Sequence, residues 1–296
     1  MRFFGRHAAV LGALLLPASY AAAQNAAPDS AAPAVGQWVN KAKLGLSLTQ
    51  SSFTQNWSGS EVGTVSWLAV GDFSADNQIR PKLKLTNALV LAFGQTHQQD
   101  ATRDVWQVPQ TSADKIKFEG MGRFTLGGWL DPFVALNIDT RFFQKVGGTS
   151  KSFNPLTIGE SAGLARAFYD TPTRSLVSRV GFAFRQTSDG FAVAPFKQHT
   201  NDGGLEWRTT GRFASTGDKT VFKSTLTVFQ AVFFSGSDLD PADRWKTTDV
   251  RWENGLSNKL NKWMSVDLYL EYLFDDQLSR AGQMRQTLGV GLTAQL

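Results

Sequence analysis

The chain has 296 residues, enough for one large β domain or two ordinary ones, and its 30 Lys and Arg against 25 Asp and Glu give a net charge of only +5. So small a surplus, without any block of like charges, gives no reason to expect a nucleic-acid partner. The chain contains no cysteine, which excludes a disulfide framework.

The first 23 residues have the pattern of a secretory signal peptide. Arg2 and Arg6 precede a short apolar run at residues 8–16, and Ala21-Ala22-Ala23 supplies the small residues needed for cleavage. The apolar run is too short to span a bilayer as an anchor. We therefore expect residues 1–23 to be removed on export through the inner membrane.

After the leader, the predicted organisation is a short linker followed by one β domain. Residues 24–36 are rich in Ala and Pro and predict a disordered periplasmic lead-in. Residues 37–296 contain no apolar run near 20 residues, which excludes a helical membrane protein. They alternate apolar and polar residues instead, as strands with two different faces do. The predicted strands are 41–50, 64–75, 82–94, 115–126, 132–144, 155–168, 174–187, 204–215, 220–234, 247–257, 263–274 and 283–296.

Two of these segments fit the alternation poorly. Segment 64–75 is nearly apolar on both phases, so its faces cannot be assigned from the pattern. Segment 155–168 carries Glu160 and Arg166 on its apolar phase, and a β-bulge within it would restore the alternation.

The connections between the strands alternate in length. The short connections are 76–81, 127–131, 169–173, 216–219 and 258–262. The long connections are 51–63, 95–114, 145–154, 188–203, 235–246 and 275–282. Short turns at one end and long loops at the other, with an even strand number, predict an all-β, transmembrane, antiparallel up-and-down barrel of about 12 strands in the outer membrane. The partners expected are outer-membrane lipid and, during biogenesis, the barrel-assembly machinery.

Charged residues lie on one phase of the alternation, which we assign to the lumen because an Arg or Lys facing lipid at the midplane costs about 2–4 kcal/mol. A soluble lipocalin-like barrel would have the opposite arrangement of faces. The basic residues assigned to the lumen are Arg179, Arg185, Arg208, Arg212, Lys82, Lys84, Arg141 and Arg251, with Lys115, Lys117, Arg123 and Lys223 on the same phase. The acidic residues are Glu119, Asp139, Glu206, Glu253, Asp267 and Glu271, with Asp249 on the same phase.

Basic residues outnumber acidic ones on this phase, which favours a narrow channel or diffusion pore for a small anionic solute if the lumen is open. The loop 95–114, which is the longest, could fold in and constrict such a channel. The alternative is a closed lumen in which the charges pair, so that the barrel has a structural or surface-interaction role. Twelve strands lie between the packed and the open barrel sizes and leave both interpretations in place.

The first predicted strand and its loop carry a recognisable motif. Residues 46–59 are Leu-Ser-Leu-Thr-Gln-Ser-Ser-Phe-Thr-Gln-Asn-Trp-Ser-Gly. This run resembles the opening motif of an uncharacterised bacterial family, the domain of unknown function 3078, over about 20 residues. Gly59-Ser60 stands where that family has two glycines. The resemblance implies an outer-membrane barrel and supplies neither a ligand nor a reaction.

Few residues suggest chemistry, and we expect neither a catalytic site, a cofactor nor a metal site. His97 and His199 are predicted in outer loops, each three residues before an aspartate, so an outer-leaflet hydrolase using His199 is a third hypothesis. Asp238, Asp240 and Asp243 resemble a Ca²⁺ loop only weakly, because the Gly and Glu of such loops are missing.

Five tryptophans lie next to predicted turns or in loops. Trp129 and Trp263 adjoin short turns, whereas Trp57, Trp106 and Trp245 lie in long loops. Tryptophan prefers the boundary between lipid and water, so we expect these rings to anchor the barrel at its two interfaces.

Overall fold

The computed structural model describes residues 35–52, 62–100, 105–171, 173–193, 197–240 and 242–295. The strands are β1 (Trp38–Ser51), β2 (Thr64–Arg80), β3 (Leu83–Gln98), β4 (Gln110–Arg123), β5 (Asp131–Thr140), β6 (Phe143–Val146), β7 (Thr149–Ser152), β8 (Leu156–Asp170), β9 (Arg174–Ser188), β10 (His199–Ala214), β11 (Thr220–Phe234), β12 (Asp249–Lys259), β13 (Met264–Asp275) and β14 (Ser279–Gln295). Short 3₁₀ helices cover Thr216–Asp218, Ser237–Leu239 and Arg244–Lys246. In the described parts of the chain, no helix has the length and apolar character needed to cross a membrane. The predicted leader at 1–23 and the lead-in up to residue 34 lie outside the described residues.

Twelve of these strands form a closed antiparallel barrel, which confirms the fold class predicted from the alternation. Around the ring the order is β1-β14-β13-β12-β11-β10-β9-β8-β5-β4-β3-β2. The ring closes where Lys43–Leu46 of β1 pair with Leu292–Gln295 of β14, a ladder of four residue pairs among the described residues. The β1–β2 ladder, by contrast, runs over the whole of β1, from Trp38 to Ser51. We call the end at which the chain enters β1 the inner end and the opposite end the outer end.

The alternation places charged and polar side chains inside and apolar side chains outside. On β13, Asp267, Tyr269 and Glu271 are buried in the interior, whereas Leu268, between the first two, and Tyr272, after Glu271, face outward. Apolar side chains are widely exposed on the outer wall, as on Leu46, Val180, Leu205 and Leu292. An apolar exterior around a charged interior is the arrangement of a barrel surrounded by lipid.

The segment whose faces the sequence left unassigned belongs to β2, where apolar residues point both ways. Leu68 is buried in the interior and packs with Val90 and Ala92 of β3 and with Tyr269 of β13. Trp67, the preceding residue, stacks against the outward-facing Phe93 with ring centroids 5.7 Å apart. The interior beside β2 and β3 is therefore packed with apolar side chains, and alternation is absent for that reason.

The β-bulge predicted within segment 155–168 lies only at its end and does not restore the alternation at Glu160. The pairing of β8 with β9 continues without a shift from Leu156 to Ala167, and the register changes only between Ala167 and Tyr169. Glu160 is exposed on the outer wall, in line with Ala162 and Leu164. The apolar phase is interrupted at Glu160 because this carboxylate lies on the outer wall of the barrel.

Several strand ends also differ from the prediction. β3 extends to Gln98 and β10 begins at His199, so the loops expected at 95–114 and 188–203 are shorter. The segment predicted as one strand over 132–144 ends at Thr140.

An additional hairpin, β6–β7, follows β5 at the outer end. Gly147 and Gly148 form its two-residue turn with φ of 54° and 85°. Positive φ at both positions is the requirement of a type I′ turn, which glycine meets without strain.

Two glycines allow β8 and β9 to approach closely near the middle of the wall. Gly163 and Gly181 are cross-strand partners. A Cβ at Gly163 would lie 2.2 Å from the carbonyl oxygen of Val180, and one at Gly181 would lie 2.3 Å from that of Ala162. Side chains cannot be accommodated at these distances, so this part of the ladder requires glycine on both strands.

Candidate functional site in the barrel interior

An ion-pair bridge crosses the interior from one side of the barrel to the other. Lys115 Nζ and Lys117 Nζ of β4 lie 3.1 and 3.2 Å from the two carboxylate oxygens of Glu253 on β12. β4 and β12 are six strands apart in either direction around the ring, so they face each other across its diameter. Glu253 is only 1% exposed. The side chains of Lys115, Lys117 and Glu253, which we call the bridge, therefore span the lumen.

Tyr269 ties the bridge to a second acidic residue on the neighbouring strand. Its hydroxyl lies 3.1 Å from both Glu253 Oε1 and Glu271 Oε2. Glu271 also accepts a hydrogen bond from Arg251 Nε at 3.0 Å and pairs with Arg285 of β14. Carboxylates are therefore bound by donors from four strands, which fixes the positions of the buried charges.

A second cluster of charges adjoins the β4 end of the bridge, around Glu119, which lies two residues from Lys117 on the same strand. Arg179 Nη1 of β9 donates to Glu119 Oε1 at 2.8 Å, and Arg208 Nη2 of β10 lies 3.0 Å from Glu119 Oε2. Arg179 also lies 3.6 Å from Glu206, and Arg208 donates to the side-chain oxygen of Asn137. Arg179 and Arg208, both assigned to the lumen from the sequence, are therefore each paired with a carboxylate.

The other interior cations have acidic partners as well. Lys223 of β11 reaches Asp72 of β2 at 3.2 Å, five strands away around the ring. The remaining interior or near-interior pairs are Arg185 with Asp202 and Asp249, Arg212 with Asp218, Lys84 and Arg123 with Asp170, Lys43 with Asp267, and Arg251 with Asp139.

Apolar side chains fill much of the space between these charges. Met121, Phe133, Ala135 and Ala165 form one buried cluster on the strands β4, β5 and β8. The cluster around Leu68 and Tyr269, described above, joins β2 and β3 to β13. In a barrel of modest strand number, inward side chains can fill the interior in this way.

Two residues assigned to the lumen lie elsewhere. Lys82 is exposed in the turn between β2 and β3, and Arg141 is exposed just beyond the end of β5. Both were assigned by extending the alternation past the actual end of a strand. The remaining charged residues assigned to the lumen lie on strands, with the contacts given above.

The sequence pattern missed several acidic residues that neutralise the interior. Asp72 lies on the strand with unassigned faces, and Asp170, Asp202 and Asp218 lie in predicted turns or loops. Of these, Asp202 could have been found by extending the predicted strand, because β10 begins before the first apolar residue of the alternation. Lys43 and Tyr269 already occupied polar-phase positions and were simply not singled out.

The histidines and the aspartate-rich loop are arranged differently from the hypotheses. His97 and His199 lie on strands, and the carboxylate of Asp202 binds Arg185 rather than His199. Asp238 binds Lys197, a hydrogen bond that lowers the pKa of this exposed carboxyl, while Asp243 binds Lys246 and Asp240 accepts the backbone N–H of Trp245. Among the described residues, no three His, Asp or Glu side chains form a group that could hold a metal ion.

The tryptophans expected at the interfaces lie near the two ends of the barrel. Trp129 and Trp263 are exposed in inner-end turns, and the guanidinium of Arg166 lies 4.8 Å from the Trp129 ring. Trp245 lies in a 3₁₀ helix of the outer loop between β11 and β12. Trp57 lies outside the described residues.

Comparison with known proteins returned solved barrels and no sequence family. No protein-family model matches the chain, so the resemblance to the domain of unknown function 3078 is not confirmed. No curated protein matches it either. An outer membrane channel from Pseudomonas putida F1 is 12% identical with a TM-score of 0.42, covering 89% of this chain and 95% of that chain.

Two autotransporter domains were also found. The β domain of the Bordetella autotransporter BrkA is 14% identical with a TM-score of 0.30, covering 86% of this chain and 96% of that chain. The translocator domain of the autotransporter NalP from Neisseria meningitidis is 12% identical with a TM-score of 0.32, covering 86% of each chain. TM-scores this low carry no functional argument, and the barrel class is established by the strand order itself.

Proposed function

We propose that the protein is an outer-membrane barrel whose lumen is closed by paired side chains, and that its role is structural or lies in surface interactions at its outer loops. The observation that carries this proposal is the 3.1 Å approach of Lys115 to Glu253 between diametrically opposite strands. Closure was one of the two interpretations that the sequence left open, and the pairing of the charges favours it over an open anion pore.

The membrane location is supported by the two faces of the wall. Large apolar side chains such as Leu48, Phe182 and Trp207 are exposed on the outside, which in water would create an extensive apolar surface. Buried charges of the described strands, such as Lys117, Arg179 and Glu253, lie in the interior. Lipid acyl chains can cover such an apolar exterior without exposing it to water. The predicted leader, which would direct export, is consistent with the outer membrane.

Closure of the lumen is supported by charge as well as by geometry. An anion-leaning pore needs a positive field along its wall, yet Arg179, Arg208 and Lys223 each lie next to a carboxylate. In each such pair, the carboxylate neutralises the positive field of the cation. The two side chains also occupy space in the lumen that a passing solute would need.

Planar-bilayer recording of the purified protein tests the proposal. The wild type is expected to show no steady conductance. A triple variant, Lys115→Ala, Lys117→Ala and Glu253→Ala, removes the bridge without leaving an unpaired charge, and it should raise the conductance. A matched variant, Lys115→Met, Lys117→Met and Glu253→Leu, retains the side-chain volume and should remain closed. A wild type that conducts steadily would overturn the proposal.

A narrow anion path is the second candidate, supported by a separate observation. Arg179 Nε and Arg208 Nε are buried and make no hydrogen bond within the described structure. Buried donors of this kind are usually satisfied by water or by a bound anion. In the same recordings, steady anion-selective current that falls on paired replacement of Arg208 and Arg212 by Gln would establish this candidate in place of the first.

A further inference from the structure

The outer wall carries a groove of about 820 Å³ that crosses the strands from β2 to β9. It extends from Glu160 and Phe184, towards the outer end, to Leu83 and Phe124, near the inner end. Its size falls within the range of small-molecule sites, and most of its lining is apolar. The groove is separate from the charged interior, since its residues are mainly those of the outward phase.

Missing side chains create the groove. Gly120 and Gly122 occupy successive outward positions of β4, between the larger residues of β3 and β5. A Cβ at Gly122 would meet only Val134 Cγ2, at an ordinary 3.6 Å, so the space above this glycine is open. A linear apolar chain lying against the wall could fill this space.

Glu160 places a carboxylate at the upper part of this apolar groove. Its cross-strand neighbours are Leu136 and Phe184, and its carboxylate accepts hydrogen bonds from Gln186 Nε2 at 3.3 and 3.4 Å. Gln186 is two residues closer to the outer end than Phe184, so the carboxylate is directed towards that end. No Lys or Arg within the described ranges forms an ion pair with it.

An ionisable side chain on a membrane-facing surface is costly and indicates a function with a specific partner. A carboxylate only accepts hydrogen bonds, and its strongest partners are cationic N–H donors. We propose that the groove binds a membrane lipid with a primary amine in its head group. The ammonium group binds Glu160, and an acyl chain lies in the groove over Gly122. This inference rests on the proposed membrane location.

The chemistry distinguishes this lipid from the other common types. A choline head group is cationic but has no N–H to donate. A glycerol head group on a phosphate leaves the lipid with a net negative charge, which the carboxylate repels. Phosphatidylethanolamine is therefore the probe to use, with phosphatidylcholine and phosphatidylglycerol as competitors.

The experiment reconstitutes the purified protein in vesicles that contain these three lipids in equal amounts, extracts it gently and measures the retained lipids by native mass spectrometry. The wild type should retain phosphatidylethanolamine preferentially. Glu160→Gln should reduce its ratio to phosphatidylglycerol by about twofold to fivefold, the change that loss of one exposed ion pair produces. An unchanged ratio in Glu160→Gln, or no preference in the wild type, would overturn the inference.

Two further variants test whether the groove itself is used. Gly122→Leu fills the groove and should reduce retention of all three lipids, whereas Ala69→Leu places the same final side chain at an exposed position on β2 outside it and should not. Equal retention by these two variants would contradict the site. Loss of a dimer on Glu160→Gln would instead assign the groove to a second copy of the chain. Failure of the wild type to enter vesicles would refute the membrane location rather than the site.

Discussion

Arg179 Nη1 and Glu119 Oε1 lie 2.8 Å apart although their strands, β9 and β4, are three positions apart around the barrel. Both side chains are largely buried, and the second carboxylate oxygen of Glu119 is occupied by Arg208. One acid therefore balances two guanidinium groups on different strands, which makes it a critical member of the interior network.

Glu119→Gln should destabilise the folded barrel markedly. The substitution leaves Arg179 and Arg208 buried with less compensation, and breaking a buried pair typically costs about 3–5 kcal/mol. Glu206, 3.6 Å from Arg179, should keep the loss towards the lower end of this range. Urea unfolding in vesicles, followed by tryptophan fluorescence, measures the change. Asp238→Asn in the exposed outer loop is the control and should leave the unfolding curve unchanged.

Tyr269→Phe tests whether the phenol hydroxyl holds the two acidic residues next to it. Tyr269 is fully buried, and Phe at this position removes the one hydroxyl donor that lies between the carboxylates of Glu253 and Glu271. We expect a loss of about 1–3 kcal/mol in unfolding free energy. Tyr272→Phe, three residues further along the same strand on the outer wall, should change stability by less than about 0.5 kcal/mol. Equal effects at the two tyrosines would contradict the assignment of faces.

Leu268→Arg tests the outer wall directly. Leu268 lies between outward-facing Leu256 of β12 and Leu288 of β14, its cross-strand partners. An arginine there should cost about 2–4 kcal/mol if the position lies near the bilayer midplane. Leu268→Met, of similar volume, should cost less than about 1.5 kcal/mol. A folded barrel that tolerates Arg and Met equally in vesicles would show that lipid does not cover this surface.

Gly163→Ala should weaken the ladder between β8 and β9. The added methyl would approach the carbonyl oxygen of Val180 to 2.2 Å, so the strands must separate. Forced overpacking of this kind costs about 1–3 kcal/mol. Gly122→Ala provides the matched control, because its methyl meets only Val134 at contact distance. Thermal unfolding on gels without boiling compares the two; a Gly163 variant as stable as the control would show that the close approach relaxes freely.

The barrel itself could be predicted because alternation is a local property. Each of the twelve predicted segments overlaps one barrel strand, and on β13 the polar and apolar phases match the inner and outer faces residue by residue. Alternation failed where an apolar side chain lies in the interior, as at Leu68, and where a charged side chain lies on the outer wall, as at Glu160. In both cases the deviation was visible in the sequence, but its cause depends on distant neighbours.

The pairing of the charges could not be predicted in the same way. Lys115 and Glu253 are separated by more than a hundred residues, and their contact depends on which strands face each other once the ring closes. Counting charges on one phase gave a positive surplus because Asp72 and Asp218 were outside the set that could be assigned. Lys82 and Arg141 were included because the alternation continues for a residue or two beyond the last paired position.

The ladder that closes the ring has four residue pairs in the described part of the chain, from Lys43 with Gln295 to Leu46 with Leu292. It is the shortest ladder of the ring among the described residues. Within those residues, the backbone groups of β14 before Leu292 pair with β13 and have no partner in β1. The wall should therefore separate most readily at the seam between β1 and β14, where the amide protons should exchange with solvent earlier than those of the β2–β3 ladder.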